Sequence, residues 1–158
     1  MNYSHDIKLR QDDDNIFDIH ITPDGDFEVD DTFDINIIMS LFVDALADES
    51  EVSEPLRRRG FVGDLLLFEN EPDEFSGSKL WLVNGRNTTK QLNNTIDFSR
   101  DGLAWFVKDN LVKNIDITGD LHLNGINLDI NFIVEDNAVK EYNIKLWQNG
   151  VVETIERL

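Results

Sequence analysis

The stretch Ile126-Asn127-Leu128-Asp129-Ile130-Asn131-Phe132-Ile133-Val134 decides the fold, because apolar and polar residues alternate along most of it. A period of two is typical of a β-strand with one buried face. The same alternation occurs at 115–117 and 142–146. Glu135-Asp136-Asn137 predicts a turn between the last two strands. Gly125 predicts a bulge or bend. Asn149-Gly150 predicts a further hairpin, which leads into an edge strand. The C-terminal third is therefore predicted to be an antiparallel meander.

Two helices are predicted upstream of this meander. From Phe33 to about Asp48, apolar residues step by three and four along one broad face. The second helix is predicted from Thr88, which with Gln91 forms a capping-box pattern, to Asn110, which suits a left-handed cap. Its apolar stripe is predicted to contain Leu92, Ile96, Ser99, Leu103 and Val107.

The N-terminal region predicts a hairpin. Residues 17–21 and 27–29 alternate in the manner of half-buried strands, and Pro23-Asp24-Gly25 is a typical turn sequence. Residues 48–80, which follow the first helix, form a long irregular connection, and a short extended apolar run, Leu80–Val83, comes next. The expected fold class is α+β: an antiparallel sheet packed against two main helices, with a long irregular loop between them. Residues 1–158 are expected to form a single domain, of which 1–15 are mobile.

Composition excludes several classes of function. The net charge is −18, from 32 acidic and 14 basic residues, so binding to nucleic acid or to an anionic membrane is not expected. The chain has no cysteine, which excludes disulfides and thiolate chemistry. No apolar run reaches the roughly 18 residues of a membrane helix, and Met1–Arg10 lacks a signal-peptide core. Synthesis in a cytoplasm is expected.

No residue pattern selects a catalytic or metal site. His5, His20 and His122 lack metal-ligand spacing, and the alternating acids of residues 24–30 do not match a calcium loop. A glycosidase needs two carboxyl groups about 5–10 Å apart, but among 32 acids the sequence singles out no pair. We therefore expect no cofactor, no metal and no enzymatic activity.

The basic cluster Arg57-Arg58-Arg59 is the most informative local feature. It holds three of the 14 basic residues and is followed by Gly60-Phe61-Val62-Gly63-Asp64. Arginine makes planar, bidentate contacts with carboxylates and is enriched at protein interfaces. Two interpretations remain open: an internal clamp that pairs with the chain's own acids, or a contact with another protein.

Several motifs occur in the order of a known family. After the acidic hairpin come Arg58-Arg59-Gly60-Phe61-Val62-Gly63-Asp64, then Gly77-Ser78-Lys79-Leu80-Trp81-Leu82, then Gly102-Leu103-Ala104-Trp105-Phe106-Val107-Lys108-Asp109. Together they resemble the Mu-type phage baseplate family over about residues 15–120. That family has an RRGWWGD-like loop and a GSRLWLL-like segment, so Val62 and Lys79 depart from its pattern.

The resemblance implies a baseplate wedge protein of a contractile phage or prophage-derived tail. It implies neighbouring wedge and hub proteins as partners, a tail sheath subunit that adds a strand to the sheet edge, and a location in the virion baseplate. Because some related proteins are named tail lysozymes, a muralytic glycosidase acting on peptidoglycan is the alternative. The residues predicted to bind partners are Arg57, Arg58, Arg59, Gly60, Phe61, Gly63, Asp64, Gly77, Ser78, Lys79 and Trp81.

Overall fold

The computed structural model describes residues 6–11, 17–30, 33–64, 76–84, 87–135, 138–147 and 152–157. The chain divides into two compact units, Met1–Met39 and Ser40–Leu158. The prediction of a single domain stays a prediction. The described elements, in chain order, are β1 (Asp6–Ile7), β2 (Leu9–Gln11), β3 (Phe17–Ile19), β4 (Val29–Asp30), α1 (Asp34–Phe42), a 3-10 helix (Pro55–Arg57), a second 3-10 helix (Leu80–Leu82), α2 (Thr89–Lys108), β5 (Asn114–Leu121), β6 (Gly125–Ile133), β7 (Val139–Trp147) and β8 (Val152–Arg157).

The predicted antiparallel meander is confirmed as a four-stranded sheet in the order β5-β6-β7-β8. Its register places Leu128 opposite Ile144 and Ile130 opposite Tyr142, and all four residues are buried. Gly125 begins β6 directly after a tight turn in which the His122 N–H donates to the Gly125 carbonyl. The turn residues 136–137 and the Asn149-Gly150 pair lie outside the described residues.

Aromatic packing joins α2 to the sheet. Phe106 of α2 and Phe132 of β6 are both fully buried, with ring centroids 5.1 Å apart. Phe132 in turn meets Tyr142 of β7 edge-on at 5.7 Å. Edge-on and tilted aromatic pairs add to the stabilisation from buried apolar area. The α+β class with a helix against an antiparallel sheet is therefore confirmed.

The ends of α2 follow the predicted capping chemistry. The Thr88 hydroxyl accepts from the Gln91 backbone N–H at 3.2 Å, and Asn110 adopts the left-handed conformation with φ 58°. The Gln91 amide donates to the Asn84 carbonyl, so only half of the predicted capping box forms. The predicted stripe was wrong at Val107, which is 41% exposed, because Phe106 takes the buried position.

The first helix is shorter than the sequence predicted. Its apolar pattern continues to about Asp48, but α1 ends at Phe42. Residues 43–45 instead pair with a distant segment: the Ser78 N–H donates to the Val43 carbonyl at 3.0 Å, and the Ala45 N–H donates to the Ser78 carbonyl at 2.9 Å. These extended pairings use backbone groups that a longer helix would need.

The unit formed by residues 1–39 contains the predicted hairpin. Gly25 has φ +88° in the turn, which confirms the turn prediction, and Ile21 pairs with Phe27 across it. Within the segment predicted to be mobile, residues 6–11 form β1, paired with β4, and β2, paired with β3. The expectation of half-buried strands was wrong for the apolar side chains: those of Ile19, Ile21, Phe27 and Val29 are exposed.

The long connection contains more local structure than predicted. The first 3-10 helix lies within it, and the second begins at its end and includes Trp81, which the sequence placed in an extended run. Residues 65–75, in which the apolar Leu65–Phe68 stretch falls, lie outside the described residues.

Candidate partner-binding site

The segment 77–81 lies beside the chain that leaves α1. Ser78 and Asp44 form an isolated parallel β-bridge. At Gly77 the backbone has φ +83°, and a Cβ there would overlap the Val43 carbonyl. Only glycine combines this left-handed conformation with so close an approach. We call this meeting point of residues 40–45, residues 77–78 and Gly102 the glycine–serine junction.

Side chains of the same segment satisfy carbonyl groups at and beyond the end of α1. The Ser78 hydroxyl donates to the Leu41 carbonyl at 2.6 Å and accepts from the Leu80 N–H at 3.1 Å. The Trp81 indole N–H donates to the Ala45 carbonyl at 2.9 Å. The last carbonyls of a helix lack partners within that helix, so the Ser78 hydroxyl satisfies one of them, while Trp81 holds the chain that follows the helix.

Lys79 pairs with two acids that follow α1. Its ammonium lies 2.7 Å from the Asp48 carboxylate and 2.8 Å from that of Glu51. The hydrogen bond from Lys79 lowers the pKa of Asp48 below its ordinary value of 3.8. Partial burial of Lys79 opposes its charge, but the hydrogen bonds to Asp48 and Glu51 outweigh it and raise the Lys79 pKa above 10.5.

Two of the three clustered arginines make internal contacts with groups more than five residues away. The Arg58 Nε donates to the Val52 carbonyl at 2.8 Å. The Arg59 guanidinium pairs with the Asp44 carboxylate at 2.9 Å and lies over the Trp81 ring, 4.7 Å from its centroid. Arg59 also has a left-handed backbone, φ 52°, which is uncommon outside glycine. Among the described residues, Arg57 forms an ion pair with the nearby Glu54, and both side chains are exposed.

The described contacts therefore include those expected of an internal clamp, one of the two interpretations that the sequence allowed. We call Arg58, Arg59 and Lys79, together with their carboxylate and carbonyl partners, the basic clamp. It ties residues 44–59 to the 79–81 turn. Arg57 takes no part in it. That any of these residues binds another protein stays a prediction.

The remaining predicted loop residues shape the end of the connection. Gly60 has φ +111°, and Gly63 leaves room for the Phe61 ring, which a Cβ at position 63 would overlap. The Asp64 N–H donates to the Phe61 carbonyl at 3.1 Å. The Asp64 carboxylate accepts from the Ser76 N–H at 3.1 Å, which joins two residues 12 apart in the sequence.

The sequence did not identify Ser40 and Gly102 as part of this arrangement. The Ser40 hydroxyl accepts from the Trp105 indole N–H at 2.8 Å. A Cβ at Gly102 would lie 2.7 Å from the Ser40 carbonyl oxygen and 2.9 Å from the Ser78 Cβ. The sequence signal that could have identified them is a small residue at a buried position, Ser40 in α1 and Gly102 in α2, because small residues allow two backbones to approach closely.

Comparison with known proteins places this arrangement in a family. A family model described as Phage protein GP46 matches residues 34–141, more than half of the chain. The chain belongs to this phage protein family. The matched range contains the basic clamp and the glycine–serine junction of this GP46-family protein. No match was found among curated proteins.

The described part of this GP46-family chain contains no group of three His, Asp or Glu side chains placed to hold a metal ion. In the same residues, no helix has the length and apolar character needed to span a membrane.

Replacing Arg58 or Arg59 with alanine is expected to destabilise the isolated protein by about 1–2 kcal/mol each, since each removes a charge-assisted contact and Arg59 also a cation–π contact. Urea unfolding followed by circular dichroism measures the difference. Arg57→Ala is the matched control, and its exposed pair is worth less than about 0.5 kcal/mol. Equal effects at all three positions would contradict the basic clamp.

Lys79→Met is expected to destabilise the protein in a pH-dependent way. Because the Asp48 pKa is lowered by folding, its contribution is present above pH 3.8 and is lost as pH falls through the folded-state pKa. Because the Lys79 pKa is raised, its contribution is present below pH 10.5 and is lost as pH rises through the folded-state pKa. The difference in unfolding free energy from wild type should be largest between about pH 5 and 10.

Urea unfolding of wild type and Lys79→Met at pH 3, 7 and 11 tests this window. Lys90→Met serves as the control, because Lys90 is exposed and forms no ion pair within the described residues. If the difference in unfolding free energy between wild type and Lys79→Met were the same at pH 3 as at pH 7, the result would argue against the Lys79–Asp48 pair.

Proposed function

We propose that this protein is a structural wedge subunit of a contractile phage-tail baseplate, and that it acts by binding and not by catalysis. The observation that carries the proposal is the match to the phage GP46 family over residues 34–141. The basic clamp and the glycine–serine junction support it, because they hold residues 43–59 against residues 77–81. A fixed loop loses less conformational entropy on binding than a flexible one.

In this proposal the partners are neighbouring wedge and hub proteins and the tail sheath. Leu56 and Val62 of the irregular connection are strongly exposed, at 96% and 76%, and offer apolar contact area. The strand β8 lies at one edge of the sheet. An edge strand has backbone groups available for pairing with a strand from another chain, such as one supplied by a sheath subunit. The protein is made in the host cytoplasm and ends in the virion baseplate.

Electron microscopy of particles from a phage that lacks this gene tests the assembly role. We expect tails without baseplates, or sheath that polymerises without attachment, and recovery of normal tails when the gene is supplied in trans. Complete tails of normal appearance that infect poorly would overturn the proposal. Clearing of purified peptidoglycan by the isolated protein would instead support the muralytic alternative.

A further inference from the structure

An open groove of about 990 Å³ lies on the unit formed by residues 40–158, between residues 51–59, the turn that follows Leu80, and the N-terminal half of α2. Segments of partner proteins often bind in grooves lined by apolar and aromatic side chains, where individual side chains of the segment are held. The side chains that decide the chemistry of this groove are Leu56, Arg57, Arg59, Trp81, Lys90 and Phe98.

Three apolar or aromatic side chains of the groove, those of Leu56, Trp81 and Phe98, are exposed or half-buried. Leu56 is 96% exposed although it lies in a short helix whose backbone is fixed by hydrogen bonds. Burying such a side chain in a complex removes apolar surface from water, which favours association. Trp81 and Phe98 line the same groove and are half-buried. Aromatic residues and arginine are enriched where partner proteins bind most tightly.

Cationic side chains outnumber carboxylates in the lining of the groove, the reverse of the whole protein, although Arg59 is itself paired with Asp44. Arg57, Arg59 and Lys90 line it, and the one carboxylate among its described lining residues, Glu51, is already paired with Lys79. The chain as a whole has 32 acidic and 14 basic residues. Exposed ion pairs contribute little, so the Arg57–Glu54 pair can be exchanged for a carboxylate of a partner at small loss.

We propose that this groove docks a segment of another tail protein that carries a bulky apolar side chain flanked by carboxylates. The apolar side chain packs against Leu56, Trp81 and Phe98, while the carboxylates pair with Arg57 and Lys90. A second copy of this chain is disfavoured as the occupant, because two bodies of net charge −18 repel each other. This assignment rests on the proposed baseplate function and names the chemistry of one partner segment.

Site-specific photo-crosslinking in assembled tails tests the groove directly. Benzoylphenylalanine replaces Leu56 in the phage-encoded protein, and mass spectrometry identifies the crosslinked peptide. We expect one segment of a different tail protein, with Asp or Glu beside a large apolar residue. The control is the same replacement at Val62, which is exposed but does not line the groove. Three results would overturn the proposal: no excess crosslinking over Val62, a segment without acids, or a crosslink to a second copy.

Charge reversal supplies an independent measurement. Arg57→Glu combined with Lys90→Glu should reduce the yield of complete tails at least about tenfold, the effect of one lost charge-assisted contact. The melting temperature should stay near wild type, because both cations are exposed. Arg100→Glu with Lys113→Glu, outside the groove lining, is the matched control. If gene deletion abolishes tails but the groove variant gives a normal tail yield, the groove proposal is refuted and the proposed function is not. If tails remain normal after the gene is deleted, the proposed function itself is refuted.

Discussion

Gly77→Ala is expected to destabilise the protein by about 3 kcal/mol or more, since a methyl group at a left-handed position would meet a backbone carbonyl. The Cβ would overlap the carbonyl of Val43, the same group that accepts a hydrogen bond from Ser78 at 3.0 Å. Relief requires the two segments to separate, and separation also strains the Ala45–Ser78 hydrogen bond. A single methyl group therefore disturbs several contacts at the glycine–serine junction.

Urea unfolding at pH 7 measures this effect, and Gly60→Ala separates its two causes. Gly60 also has positive φ, +111°, but its added Cβ would meet mainly the flexible Leu46 side chain at 3.3 Å. We expect Gly60→Ala to lose about 1–2 kcal/mol, the conformational component alone. If Gly77→Ala were no more damaging than Gly60→Ala, the close approach to Val43 would be refuted.

Gly102→Ala is expected to destabilise the protein by about 2–3 kcal/mol, in the range of overpacked cores. In an ordinary helix interior this change stabilises by up to about 1 kcal/mol, because alanine has the higher helix propensity. Here the added methyl group would lie 2.7 Å from the Ser40 carbonyl oxygen and 2.9 Å from the Ser78 Cβ. The sign of the effect therefore reports whether α2 contacts the glycine–serine junction closely.

Asp101→Ala is the control for helix propensity, because Asp101 is exposed and adjacent in α2. It should change stability by no more than a few tenths of a kcal/mol, with a slight gain. Thermal and urea unfolding of both variants give the comparison. Stabilisation of the protein by Gly102→Ala would show that residues 40 and 78 do not pack against this helix.

The sequence alone determined the features that depend on near neighbours. Alternation along β6 and β7 predicted the strands and their buried residues. Thr88 and Asn110 predicted the ends of α2, and Gly25 predicted its turn. Each of these signals depends on backbone preferences, or on hydrogen bonds that span only a few residues. Such signals are complete within a short stretch of chain.

The basic clamp and the end of α1 depend on residues far apart in the sequence, which local patterns cannot pair. The Ser78 hydroxyl reaches a carbonyl 37 residues away, and Arg59 pairs with an acid 15 residues away. With 32 acids available, the sequence offered many possible partners for the arginines. Only the tertiary structure selected among them, because it sets which groups lie within hydrogen-bonding distance once Gly77 and Gly102 allow the segments to approach.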